Sequence, residues 1–365
     1  MSLRTETPAR GIVATVSTHD ISRVAPLVDR PTLGQTLRFT RLNLDETEER
    51  KKAIAIHNAA WRNEALMRKQ GFTSTEIERS KALEIDEDEL RVRFALFPEG
   101  QIVGRTEQSA LVSMLNTRLI FIRSADEIRA GYKRMSSEPM EPDVRQIDGI
   151  AQIADHVGIL VCFSIVTDPQ FQGKDVALAT LAHGIEIASQ LGLAAVPYSA
   201  PRGFGAYRKR FPEVEIMTYL HITKPAKTDD SMAEMYRRYT QALERFNNAN
   251  TARIYTQRLK PIDTTLFTTE AFAPEGFSAY SEFKFRHGSW FRAQYGREPT
   301  VVDYIRITGR QHVDPVMNMH IQFGADFIYD RDGRITCVFE DSRSEDVMAG
   351  GYNVALTYHH RNIFV

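Results

Sequence analysis

The residues with most chemistry to offer lie in three places. Thr167-Asp-Pro-Gln-Phe-Gln-Gly-Lys-Asp-Val-Ala177 leads from an apolar run into a helical pattern. A tight turn in that position aligns backbone N–H groups with the positive end of a helix dipole, which cradles a diphosphate without needing a particular side chain. Tyr198-Ser-Ala-Pro-Arg-Gly-Phe-Gly-Ala-Tyr207 gathers hydroxyls and a guanidinium at the end of the next predicted strand. There Ser199 offers an O–H to a developing oxyanion, and Arg202 offers a two-pronged grip on a carboxylate. His320, on a short predicted helix, carries an imidazole suited to proton transfer near neutral pH. Each has a plainer alternative: a generic strand-to-helix turn, a strand-end Ser bonded to backbone, an Arg capping a surface, and a His packed beside Met317 and Met319.

Other chemistries find little support. The chain has no G-x-S-x-G elbow, Walker loop or G-x-G-x-x-G, which removes the common hydrolase, NTPase and dinucleotide-binding readings. Cys162 and Cys337 are too few and too far apart for a metal site or a disulfide framework. His359-His360 has no Cys or acid at ligand spacing, so no metal is expected. Lys and Arg (46) balance Asp and Glu (47), which speaks against a nucleic-acid partner. The first ten residues lack the apolar stretch of a signal peptide, and no apolar run reaches the roughly 20 residues that span a bilayer. A cytoplasmic location without a membrane partner is expected; the oligomeric state is left open.

The elements that must position these residues can be read in outline. Residues 1–34 lack sustained periodicity and read as an extended arm or a short strand, not a domain. Leu37 to Leu44 alternates like a half-buried strand, and Asp45-Glu-Thr-Glu-Glu-Arg50 opens a helix predicted to reach Arg68, with Trp61 on it. Thr73 and Glu76 have capping-box spacing for a second helix. Leu90–Phe97, Pro98-Glu-Gly100 and Gln101–Leu115 suggest a β-hairpin. His156–Asp168 is apolar almost throughout, as a central strand covered on both faces would be. A helix follows from Val176 to Leu191, with Gly192 as its C-cap, and then a strand over 193–200, making a βαβ unit. Residues 229–260 look helical, whereas 261–310 are aromatic and hard to assign. A helix over 316–322 and strands over 325–329 and 352–358 close the chain.

With these features in place, the Gln172-Gly-Lys-Asp-Val-Ala177 turn resembles the pyrophosphate loop of the GNAT (N-acetyltransferase) superfamily, whose pattern is Q/R-x-x-G-x-G/A after a strand. Asp175 stands where that family has Gly. A second negative charge about 4 Å from a diphosphate repels by roughly 4 kcal/mol at an effective dielectric near 20, an effect that Lys174 offsets in part. A donor without the nucleotide diphosphate, such as a carrier-protein phosphopantetheine, would avoid much of it. Asp314-Pro-Val-Met-Asn-Met-His320, Gly324-Ala325, Arg343-Ser-Glu-Asp346, Gly351-Tyr-Asn-Val354 and Tyr358 resemble the closing elements of one subgroup. That subgroup holds stand-alone GNAT-like acyltransferases and the GNAT-like loading domains of polyketide synthases.

The resemblance implies an α/β fold: a mixed, splayed sheet flanked by helices, with 35–228 as the first part of the core, a mainly helical insertion over 229–309, and 310–365 completing the core. It implies a coenzyme A thioester (acetyl-CoA or another acyl-CoA) as co-substrate, or an acyl carrier protein as donor. The binding residues it implies are Ser164, Ile165, Val166, Gln172, Gly173, Lys174, Asp175, Val176 and Ala177. His320 with Ser199 is implied as the catalytic pair, with Tyr198 and Tyr207 as candidate acids for a leaving thiolate. Trp61, Arg202 and Tyr352 are candidate substrate contacts. The expected reaction is acyl transfer to a small amine or thiol acceptor, with natural-product biosynthesis as the setting the resemblance suggests. The alternatives are decarboxylation of a malonyl thioester and a non-catalytic binding subunit.

Overall fold

The computed structural model describes residues 29–32, 35–122, 157–172, 176–190, 194–225, 279–330 and 333–358. β1 (Asp29–Thr32) and β2 (Gln35–Arg41) begin a sheet that continues antiparallel through β3 (Gln101–Arg105), β4 (Leu111–Ile122) and β5 (Val157–Thr167). β5 then runs parallel to β6 (Ala194–Ser199). β6 pairs antiparallel with β11 (Asn353–Thr357), which also takes β9 (Asp326–Phe327) and β10 (Val338–Phe339). The parallel step needs a crossover, and α5 (Val176–Gln190) supplies it, as the apolar run, turn and helical spacing predict.

Alternation along the central strands divides the core in two. Met114 and Val166 face α1 (Thr47–Trp61), in a cluster with Ala53, Ile56, Trp61 and Leu90. Leu115 and Cys162 face the other way, toward Leu181 and Ile185 of α5. α6 (Phe204–Arg210), α7 (Ile216–Tyr219) and α10 (Pro315–Gln322) contribute to the same cluster as α5. So do α8 (Ala279–Tyr295) and α9 (Val301–Thr308), through Phe283, Phe291, Tyr304 and Ile305. A short ladder, β7 (Thr223–Lys224) with β8 (Gln311–His312), ties the segment after α7 to the segment before α10.

Two sequence expectations give way. Residues 90–97 are helical, within α4 (Glu87–Leu96). Asp86 caps it by accepting from the Glu89 N–H, and Glu87–Arg91 and Glu89–Arg93 pair one turn apart, so capping and i,i+4 charges outweigh the apparent alternation. The hairpin is β3–β4 instead, closed by Thr106 N–H to Ala110 O at 2.9 Å. The helix expected to reach Arg68 stops at Trp61, because Asn63 starts α2 (Glu64–Lys69) by accepting from the Leu66 N–H. The capping box at Thr73 and Glu76 does open a helix, α3 (Ser74–Arg79). Gly192 lies outside the described residues, as does 226–278, most of the segment read as an insertion.

Candidate functional site

β5 and β6 pair from Ile159 opposite Ala194 to Cys162 opposite Pro197, and there the pairing ends. At the same level the register with β4 jumps from Thr117–Cys162 to Asn116–Ser164, leaving Phe163 as an extra residue on β5. A bulge of this kind bends its strand. β5 continues beside β4 to Thr167, while Tyr198 and Ser199 follow β11, so the two parallel strands part in a fork.

The backbone of β5 divides between the two edges. The Asp168 N–H donates to Val112 O at 2.8 Å, and edges alternate along a strand. Ser164 and Val166 therefore direct their amides toward β4, and Ile165 and Thr167 direct theirs into the fork. Of the three β5 residues expected to hold a thioester arm, Ile165 is the one whose backbone is so placed; the backbones of Ser164 and Val166 belong to the β4 ladder. Thr167 adds a second signal, since its buried hydroxyl has no hydrogen-bond partner among the described residues. A fork edge of amides with an orphan hydroxyl fits a pantetheine chain, which carries amide groups of its own.

Ser199 lies two residues past the last β5–β6 pair, its side chain on the α5 face. Its Oγ is 2.7 Å from His320 Nε2, and His320 Nδ1 is 2.7 Å from Tyr358 Oη. All three side chains are buried. α10, which carries His320, is held firmly. Asp314 Oδ1 caps it by accepting from the Val316 and Met317 N–H groups, and Oδ2 accepts from the Gly203 N–H and the Tyr219 hydroxyl. Those bonds oppose the burial that raises the Asp314 carboxyl. They also lock the helix to the segment following β6, on which Ser199 sits. Burial pushes His320 down to about 3, so the ring is neutral at pH 7. A neutral imidazole donates through one nitrogen and accepts at the other, and here both partners are hydroxyls.

The opposite face of the fork is aromatic and cationic. Trp61 Nε1 is 3.4 Å from Ser164 Oγ, and the guanidinium carbons of Arg202 and Arg343 each lie 4.8 Å from the Trp61 ring centroid. Arg343 also donates to Phe163 O at 3.4 Å, at the bulge itself. Arg202 donates to Ala60 O and Trp61 O, at 3.0 and 2.8 Å, and lies 3.7 Å from Asp346. It thus braces α1 against the 343–351 loop, a different task from gripping a substrate carboxylate.

Of the remaining expected residues, Tyr198 faces away from Ser199, with its ring 6.3 Å from Phe163 and 5.7 Å from Phe339. Tyr207 packs on Phe211 and Tyr219, and burial raises its hydroxyl pKa. Tyr352 donates to Glu340 at 2.8 Å; burial, then that carboxylate, pushes it up to about 12. Neither is in position, by these contacts, to join the Ser199–His320 pair. Gln172 is exposed, Val176 is buried at the start of α5 and Ala177 is half-buried. Gly173, Lys174 and Asp175 lie outside the described residues.

Sequence reading missed the roles of Tyr358 and Arg343. Both belonged to the closing motif, but nothing local shows that Tyr358 reaches a ring 38 positions earlier or that Arg343 spans the fork. Cys162 is buried and pushed up to about 12, the inert thiol expected of a strand interior. Among the described residues no cluster of three or more His, Cys, Asp or Glu side chains could hold a metal, and no helix is long and apolar enough to cross a membrane.

No family model and no curated protein sequence matches the chain. Solved structures do match it. The loading GNATL domain of CurA from Lyngbya majuscula aligns over 88% of this chain and 96% of that one, at 11% identity and a TM-score of 0.39. The GphF GNAT-like decarboxylase in complex with isobutyryl-CoA aligns over 88% and 97%, at 12% identity and 0.39. A putative arylalkylamine N-acetyltransferase 7 from the yellow fever mosquito Aedes aegypti aligns over 67% and 92%, at 14% identity and 0.30. In this chain helices cover both faces of a mixed sheet whose two parallel central strands pair, meet a bulge and part.

Proposed function

We propose that the chain is a GNAT-type acyltransferase. It takes an acyl group from a coenzyme A or carrier-protein phosphopantetheine thioester and passes it to a small amine or thiol. The observation that carries this reading is the Ser199–His320–Tyr358 hydrogen-bond chain ending beside the β5–β6 fork. A phenol is a better donor than an alkyl hydroxyl, so Tyr358 donates to Nδ1 and the Nε2–H donates to Ser199 Oγ. That leaves the Ser199 O–H to point at a thioester oxygen in the fork, where charge develops on attack. The acceptor's lone pair forms the new bond to the carbonyl carbon, the C–S bond breaks, and the proton leaving the acceptor ends on the thiol. Positioning supplies much of the acceleration, because the thioester is already activated.

A second reading has a specific observation in its favour. Both ring nitrogens of His320 face hydroxyls rather than a carboxylate, so the relay is built to donate hydrogen bonds more than to hold an imidazolium. Decarboxylation of a malonyl thioester needs only that: the C–C bond breaks, carbon dioxide leaves, and the electron pair rests on an enolate oxygen bonded by Ser199 until the carbon is protonated. Incubation with acetyl- and malonyl-coenzyme A, with and without amines, separates the cases. Acyl transfer releases thiol only with an acceptor, whereas decarboxylation converts malonyl- to acetyl-coenzyme A without one. Either activity is expected to fall roughly a hundredfold in Ser199→Ala. A wild-type chain inert toward every thioester would instead mark a non-catalytic binding subunit.

A further inference from the structure

On the face of the sheet away from His320, a buried amide has no hydrogen-bond partner among the described residues. Asn116 of β4 is 2% exposed, and neither its Oδ1 nor its Nδ2 has a partner. A carboxamide so placed destabilises a fold that has no use for it. Its surroundings suggest the use. Ser164 lies directly across the β4–β5 ladder, on the edge strand of the fork, with its Oγ shared only at 3.4 Å with Trp61. Two residues along β4, on the same face, the buried Arg118 lays its guanidinium carbon 5.2 Å from the Phe163 ring centroid. Burial, then the nearby Arg93, pushes Arg118 down to about 10, which still leaves it charged at neutral pH.

We propose that this face is the acceptor subsite, and that the acceptor is an amino acid or close analogue carrying a carboxylate beside its amine. The carboxylate suits the Arg118 guanidinium and the Asn116 Nδ2–H. A carboxylate alone would leave Asn116 Oδ1 unbonded; an amine N–H fills it and reaches Ser164 Oγ, one strand edge from the fork. Trp61 stands on the α1 side of these residues, its Nε1 3.4 Å from Ser164 Oγ. The word acceptor rests on the acyl-transfer reading above, but the binding itself requires no thioester.

Glycine, glycinamide and acetate serve as probes, titrated onto the full chain without coenzyme A and followed by ligand-observed NMR. Glycine is expected to bind best, and its affinity to fall tenfold or more in both Asn116→Leu and Arg118→Met. Asn116→Leu should melt at or above the wild-type temperature, since it removes an unbonded buried amide, which separates lost binding from lost folding. Arg118→Lys keeps the charge without the planar fork and should retain part of the affinity. Glycine binding unchanged in a folded Asn116→Leu chain, or glycinamide binding as well as glycine, overturns the proposal. So does a wild-type chain that transfers acyl groups to amines lacking an acid but ignores glycine, and in that case the acyltransferase reading survives. Glycine binding by a chain inert toward thioesters gives the converse: the subsite stands and the acyltransferase reading falls.

Discussion

His320 owes its character to where it is rather than to what it is. An exposed imidazole titrates near 6.5, but here burial alone holds the ring neutral, and in the proposed relay Tyr358, 2.7 Å from Nδ1, donates to that nitrogen and so puts the ring proton on Nε2. Tyr358 is therefore a positioning residue. Tyr358→Phe keeps the ring packing against Phe323 but lets the two tautomers mix. We expect kcat to fall roughly tenfold with little change in KM, at a cost of about 1 kcal/mol in stability. Nitrogen-15 shifts of His320 read the tautomer directly. A variant with the wild-type tautomer and undiminished kcat would assign the phenol to packing alone.

At the level of elements, the sequence was most readable where local physics and tertiary structure agree. The apolar Val157–Thr167 run, the helical spacing after Val176 and the strand to Ser199 are each dictated by burial on both faces of the sheet, and they place the fork. Asp314-Pro315 announced α10, because an Asp cap before Pro at the first helical position is a local signal. Residues 90–97 failed because Leu90, Val92, Phe94 and Leu96 mimic a strand, while the acids that cap and pair the helix carry no two-residue period. The bulge at Phe163 left no mark at all, for it arises from a mismatch with β4 at Asn116 and Thr117, more than forty residues earlier in the chain. α8 and α9 escaped assignment because aromatic residues such as Phe283, Phe291 and Tyr304 are compatible with either element, and only the shared core selects the helix. Asn116 was visible as a polar residue in Leu111-Val-Ser-Met-Leu-Asn116, but its lack of partners was not.

Across the whole molecule, buried neutral histidines make stability depend on pH. His57, which accepts from Arg93 at 3.3 Å, is pushed down to about 3 by burial and then by that arginine. His312 is pushed down to about 4 by burial, and His320 to about 3. All three take up protons near 6.5 once unfolded, so the unfolded chain binds more protons below that pH. Their contribution is complete above about pH 6.5 and is lost as pH falls toward 4 and 3, at about 1.4 kcal/mol per pH unit for each ring. The melting temperature should therefore be level from pH 7 to 8 and drop steeply below 6. A level profile down to pH 4.5 would mean that these rings are not buried as described.

The pairing of β5 with β6 ends at Cys162–Pro197, and a hydrogen-exchange map of the whole chain with and without acetyl-coenzyme A tests the fork beyond it as a binding site. Exchange is expected to slow in 163–168, where the backbone amides of Ile165 and Thr167 face the fork, and in the first turn of α5. Bound ligand that leaves the exchange of 163–168 unchanged would contradict a site in the fork.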